Sequence, residues 1–506
     1  MSWTNRTLAM MADTVIRPLF ILRTIAVNNA PGVAGYTAAT DPTIGDPIIG
    51  ARGVRVQGST FQPGTWQSTL GGFSVDLAGD LSTLKSCVTR GTFLELLIGF
   101  PGYTAAEYEV IAVGQAQQLS GSSPRSATLE CRDVLSALRC RPTSTAGTGA
   151  LGYRVTGAET TLAAGYTAGA ATLDLTAVTG FALGTSTTEL AAMVTPTTGD
   201  PFILTYTGVS GTDLTGVAAT AVHGTTAVDA VAGDAVQPLI WIEAHPSSAV
   251  RAFLLSVLGS GVHTYDVLPQ GDGLSLPYDW VDHTDCALWK GLAEPTMVWE
   301  FASMEAIDSP GDWLAGILAA GGFFLTVRMG LLTIRAAQLL SGQTMPIVVD
   351  ITDDDVEIGG WSWEAWAADT ASEACKVTVY SATGNTSTST ENPATLPFHE
   401  EDRYDLSELL FTDQSANRTS ISGRVAEAAR RVPERYTMRC AGLRLAQLAP
   451  GDRVRLYSRL IAGRLGASMD GLDGVSALVV QCSPDYGGGR VTLSVLIYPP
   501  TAGAFP

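Results

Sequence analysis

The sequence predicts a mainly β protein with α+β segments: two small β-barrels, one inserted small β domain and an α+β middle segment. Three observations predict it. Of 506 residues, 46% are apolar, only 16% are charged and 54 are glycine, which suits many short strands and turns. Alternating apolar runs of strand length crowd both ends of the chain. Between those ends the composition shifts abruptly, first near residue 150 and again near residue 238.

Residues 1–149 read as the first barrel. "FILRTIAV" (Phe20 to Val27) and "GFSVDLAG" (Gly72 to Gly79) are early strands. "GTFLELLIGF" and "YEVIAVGQAQQL" flank a turn at Pro101-Gly102, and "SATLECRDVLSAL" is a strand running into a short helix. Five or more strands of this length closing on themselves make a small barrel.

Residues 150–237 are rich in Gly, Ala and Thr, with Arg154 the one arginine and no lysine. Composition alone would allow a linker. Leu173, Leu175, Ile203, Tyr206 and Val209 supply enough apolar surface for a small core, so the stretch is read as an inserted β module.

Residues 238–350 form the α+β middle segment. "HPSSAVRAFLLSVLGSGV" is a helix with Ser247 or Ser248 as N-cap and Val250, Phe253, Leu254, Val257 and Leu258 on one face. "MVWEFASM" is a strand. The stretch from Asp312 to Arg328 encloses 15 uncharged residues, short of the roughly 20 that a membrane-spanning helix needs. Gly321-Gly322 breaks it. Before the break, Ser309-Pro310-Gly311-Asp312 starts a helix carrying Trp313, Leu314, Ile317 and Leu318. After it the period changes to two, with a turn at Arg328-Met329-Gly330 and a return strand from Leu331 to Ala336. A buried helix leading into a hairpin is predicted, and no integral membrane span.

Residues 351–506 form the second barrel. "CKVTVYSA", "RYTMRCAGL", "DRVRLYS", "SALVVQCS" and "GRVTLSVLIYPP" are strands, and a helical segment is expected near 418–432, around "SGRVAEAARR" and ending before Pro433.

The net charge is −19, and lysine occurs only at Lys85, Lys290 and Lys376. A surface this acidic repels phosphate, which argues against a nucleic-acid-binding protein and leaves room for a wall that DNA slides past. The seven cysteines (Cys87, Cys131, Cys140, Cys286, Cys375, Cys440 and Cys482) include no CxxC pair. Their odd number argues against a full disulfide framework and for buried free thiols. Leu8 to Leu22 is interrupted by Asp13 and Arg17, so no signal peptide is read and folding in a reducing cytosol is expected.

No HExxH, GxSxG, phosphate loop or dinucleotide fingerprint occurs. His283 with Asp282, Asp285 and Cys286 offers metal-ligand types; a polar loop is the preferred reading. Asp350, Asp353, Asp354, Asp355 and Glu357 resemble a calcium loop but lack its central glycine, so a solvated acidic turn is preferred. "HEEDRYD" (His399 to Asp405) reads as a loop or subunit contact. Glu305 and Asp308 are carboxylates of the kind that hydrolyse glycosides, but nothing sets them across a cleft. Trp361, Trp363 and Trp366 are either a carbohydrate platform or interface aromatics; interface burial is preferred. No catalytic, cofactor-binding or metal residue is assigned.

Several of these segments, in this order, resemble the baseplate hub (tail hub) proteins of long-tailed bacteriophages and gene transfer agents. They are "RGTFLELLIGFPGY" through "SATLECRDVLSALRCRP", "HPSSAVRAFLLSVLGSGVHTYDVLP", "DSPGDWLAGILAAGGFFLTVRMGLLTIRAA", "ITDDDVE" and "LAPGDRVRLYS" through "GRVTLSVLIYPP". The likeness extends over most of the chain. It implies a virion protein of the tail baseplate or tip, assembled in the bacterial host cytoplasm. It implies a homotrimer whose two tail-tube-like barrels per chain make a ring of six under a sixfold tube. The implied partners are a distal tail or tail tube protein, a tape measure protein and a central tip or fibre protein, with DNA passing through unbound. No enzyme activity and no cofactor are expected. The alternatives are a tail-tip peptidoglycan hydrolase and a receptor or glycan-binding tail protein.

Overall fold

The computed structural model describes residues 4–12, 18–25, 53–62, 67–78, 88, 90–123, 126–133, 159–178, 181, 190–221, 225–255, 278–293, 299–303, 314–318, 322–336, 345–364, 376–380, 387–391, 401–405, 433–461 and 471–498. Strands dominate, and the mainly β class matches the expectation.

Two sheets carry the architecture, one of six strands and one of eight with a main path of six. The first contains, in chain order, Leu19–Ile25, Val54–Val56, Phe73–Ala78, Phe93–Gly99, Glu109–Ser123 and Ser126–Asp133. The second contains Ile347–Thr352, Val356–Glu364, Glu434–Ala441, Arg453–Ser458, Leu472–Asp485 and Arg490–Ile497. With strands numbered by their place in the chain, both sheets run first-fourth-fifth-sixth-third-second across their width. In both, the fifth and sixth strands are a long hairpin. The neighbouring pairs from the fourth strand to the second are antiparallel in each.

The second sheet must curl. Its edge strands Ile347–Thr352 and Val356–Glu364 are joined by only Asp353–Asp355. Four residue steps reach at most about 14 Å, whereas five inter-strand spacings in a flat sheet would hold the edges about 24 Å apart.

Alternation puts one face of each sheet inside. In Glu434–Ala441, Tyr436, Met438 and Cys440 are buried and their neighbours are not. Phe20, Leu22, Leu94, Leu96, Tyr436, Val454, Leu456 and Val495 all belong to one continuous apolar cluster, so the two sheets share a core. Phe20 of the first sheet meets Tyr486, in the turn between the last two strands of the second, edge to face at 6.3 Å.

The first sheet also lends chain to the second. After Val54–Val56, strand Ser59–Gln62 pairs through Thr60 and Ser59 with Gln481 and Cys482, and Gln67–Thr69 folds back beside it. A methyl on Gly58 would lie 2.1 Å from the Cys482 carbonyl oxygen, so this crossing is backbone against backbone.

The inserted module has its own core of Leu162, Tyr166, Leu173, Leu175, Phe202, Leu204 and Tyr206. Strand Ala235–Ala244 leaves it. Its first half pairs with Leu190–Thr195 and its second half with Trp299–Ser303. Helix Pro246–Leu255 follows. It begins one residue before the expected Ser247 cap: the Nδ1 of His245 accepts the Ser247 amide and its carbonyl accepts that of Ser248, so His245 holds the first turn.

The expected helix and hairpin are both present. Residues 314–318 are helical with Leu314, Ile317 and Leu318 buried. Phe323–Arg328 pairs with Leu331–Ala336 around Met329 (φ 48°) and Gly330 (φ 77°), the two left-handed positions of a tight hairpin turn. No helix among the described residues is long and apolar enough to cross a membrane. The helical segment expected near 418–432 lies outside the described residues.

Candidate functional site

Among the described residues, a constellation of buried polar groups lies where helix His283–Ala293 packs on the hairpin. A polar loop is the sequence expectation at His283. Instead Asp282 begins a helix: its side chain accepts the Asp285 amide at 3.1 Å and its carbonyl accepts that of Cys286. Asp285, Cys286, Trp289 and Ala293 are its buried face. That spacing of three and four was present in the sequence and is the signal that was missed.

The hairpin register places Thr333 and Arg335 on the face under this helix. Asp285 Oδ2 accepts from Thr333 Oγ1 (2.7 Å) and Arg335 Nε (2.9 Å), and Oδ1 accepts from Arg328 Nη1 (3.2 Å). Arg335 is fully buried. Its Nη1 reaches Asp452 Oδ1 and the Pro450 carbonyl, each at 2.9 Å, and its guanidinium lies over the Trp289 ring. Burial alone would raise the Asp285 pKa; the Arg335 and Arg328 charges and the bonds from Arg335 and Thr333 outweigh it and hold the carboxyl below its ordinary range. Burial likewise disfavours the Arg335 cation, but Asp452 and Asp285 more than offset it. Cys286 is buried, its thiol is pushed up by desolvation, and its sulfur accepts the Ile334 amide. Asp282, Asp285 and Cys286 of this motif are thus engaged with backbone, arginines and Thr333. Among the described residues no group of three or more His, Cys, Asp or Glu is placed to hold a metal ion.

The acidic turn is the expected one before a strand, with none of its residues buried, and ion pairs fix it in addition. Asp353–Asp355 is a 3₁₀ turn in which Thr352 and Asp355 cap each other. Asp350 takes a two-pronged contact from Arg455 (2.7 and 2.9 Å), and Asp355 pairs with Arg444. Asp353 accepts from Ser458 and the Arg459 amide, and Glu357 pairs with Arg490 at 2.8 Å. These contacts rivet the corner where the second sheet turns from one edge strand to the other.

Trp361 is half-buried against the shared core, whereas Trp363, two residues on, is 58% exposed. Between Val356 and Trp361 the register slips, and Ile358 at this irregularity is fully exposed. Trp366, His399, Glu305 and Asp308 lie outside the described residues. Glu401–Asp405, expected as a loop or contact, is a strand parallel to Lys376–Tyr380. Cys131, Cys286, Cys440 and Cys482 are buried free thiols, and desolvation pushes Cys131 and Cys440 up to about 12. Cys87, Cys140 and Cys375 lie outside the described residues.

A cavity between the sheets, lined by Gly58, Ile111, Met329, Leu448, Cys482 and Tyr486, encloses about 40 Å³. Small-molecule sites are typically about 300–1,000 Å³.

No protein-family model and no curated protein matches this chain. Among solved structures it is similar to a tail protein from Neisseria meningitidis (11% identity, 95% of this chain and 96% of that one, TM-score 0.43). It is also similar to the 43 kDa tail protein of prophage MuSo2 from Shewanella oneidensis (9% identity, 94% and 98%, TM-score 0.40). A prophage tail protein from Listeria monocytogenes aligns at 9% identity over 94% of each chain, with a TM-score of 0.37. With every one of these TM-scores under 0.5, the likenesses are loose and the functional reading rests on the geometry of this chain.

Proposed function

We propose that this chain is a structural protein of a phage-type tail, acting as the hub that joins a sixfold tube to a threefold, host-facing tip. The observation that carries the reading is the repeated strand order of the two curled sheets. Two like sheets per chain and three chains supply six like units, which is the symmetry match a hub requires. The net charge of −19 suits a bore through which DNA moves without sticking. The buried charges described above are spent on holding sheets, hairpin and turns together, as expected of a protein whose work is assembly rather than bond chemistry. On this reading the sheet edges are covered by neighbouring copies, a distal tail or tail tube protein lies above, and a tip or fibre protein lies below.

The test is the native mass of the purified full-length chain, followed by imaging of the particle. A ring of three chains with six similar barrels around a central bore is expected. A particle of any other symmetry, or clearing of a peptidoglycan suspension by the purified chain, would overturn it.

A further inference from the structure

The hairpin Phe323–Ala336 touches both sheets. At its tip Met329 is buried in the shared core, and a methyl on Gly330 would lie 2.9 Å from the Ile111 carbonyl carbon of the first sheet. On its flank Phe324 stacks on Phe61 at 3.8 Å, and Ser68 Oγ donates to the Leu325 carbonyl at 2.5 Å, both contacts to the crossing segment. At its outgoing end Arg335 holds the Pro450-Gly451 turn. That turn is wired into the second sheet. The Val479 amide donates to the Asp452 carbonyl, and the Gly451 amide donates to the Val479 carbonyl, each at 2.8 Å.

One carboxylate spans the two ends. Asp285 Oδ1 takes Arg328, beside the tip, while Oδ2 takes Arg335, beside the turn. Two atoms of one rigid group cannot move independently, so a shift of either arginine is felt by the other. Arg328 is 23% exposed and Arg335 is fully buried, so the tip end is the softer one. We propose that Asp285 is a conformational coupler: it transmits displacement of the hairpin tip, set by the first sheet, to the Pro450-Gly451 turn and through it to strand Leu472–Asp485 of the second. The path is packing from the first sheet to the tip and named bonds from Arg328 to Val479, and coupling energy along it is measurable.

The test is hydrogen exchange on the full chain. Arg328→Met cuts only the tip-side bond of Asp285. It should speed exchange at Gly451 and Val479 at least about tenfold, although neither residue touches Arg328. In an Asp285→Asn background the same change should add less than about twofold. Strand Leu190–Thr195 of the inserted module serves as the internal reference and should be unaffected. Unchanged exchange at Gly451 and Val479, equal effects in both backgrounds, or an equal acceleration in the reference strand would each overturn the proposal. If Asp285→Asn does not fold, Arg328→Lys replaces it as the second variant: restored protection supports the coupler, and protection no better than in Arg328→Met overturns it.

Discussion

The two large sheets share a six-strand order but differ in the sense of one strand. In the first sheet the opening strand, Leu19–Ile25, runs antiparallel to its neighbour Phe93–Gly99. In the second the equivalent strand, Ile347–Thr352, runs parallel to Arg453–Ser458. The connections that follow differ as well. In the second sheet three residues carry the chain from the first strand to the second, and the corner is pinned by Asp350, Asp353 and Asp355. In the first sheet the equivalent connection runs from residue 26 to residue 53. The five strands that form the body of each sheet are therefore common property, and the edge strand is where one curled sheet departs from the other.

The comparison can be broken most severely at the crossing. Gly58→Ala puts a methyl against the Cys482 carbonyl and should cost about 4 kcal/mol or more, removing most folded protein. A variant that folds normally, read by chemical denaturation, would mean that the sheets do not meet as described. The next effect sharpens the equivalence. Leu96 and Leu456 sit on corresponding fourth strands, each fully buried, opposite Leu22 and Ile351 of the corresponding first strands. Leu96→Ala and Leu456→Ala should each destabilise by about 2–5 kcal/mol and shift the same single transition, because both residues lie in one core. Two transitions, each moved by one variant only, would show that the sheets are energetically separate. The smallest effect at neutral pH concerns acid. Asp285 has a lowered pKa when folded, so its contribution is complete above the unfolded value of about 3.9 and fades as pH falls through the folded one. Loss of stability below about pH 4 should be steeper in the natural chain than in Asp285→Asn, followed by thermal melting across that range; parallel acid limbs would remove Asp285 from the account.

Much of this was legible in the sequence because period and turn chemistry are local. "FILRTIAV", "GTFLELLIGF", "RYTMRCAGL" and the Met329-Gly330 hairpin fell where alternation and glycine placed them. The core of the inserted module was legible from Leu173, Leu175 and Tyr206. The failures were tertiary. Asp285 looks like a loop residue until Arg335 and Arg328 are beside it, and nothing local announces that Arg444 and Arg455 reach the acidic turn. The short strands Ser59–Gln62 and Gln67–Thr69 carry no apolar period, because what specifies them is an edge far along the chain.

That far edge has a consequence for biosynthesis. The partner of Thr60 is Gln481, far along the polypeptide. A nascent chain emerging from the ribosome can build the inserted module on its own core, but strand Ser59–Gln62 stays without its partner until Leu472–Asp485 has been made. The crossing must wait for that strand, and a premature stop before residue 481 would leave it unpaired.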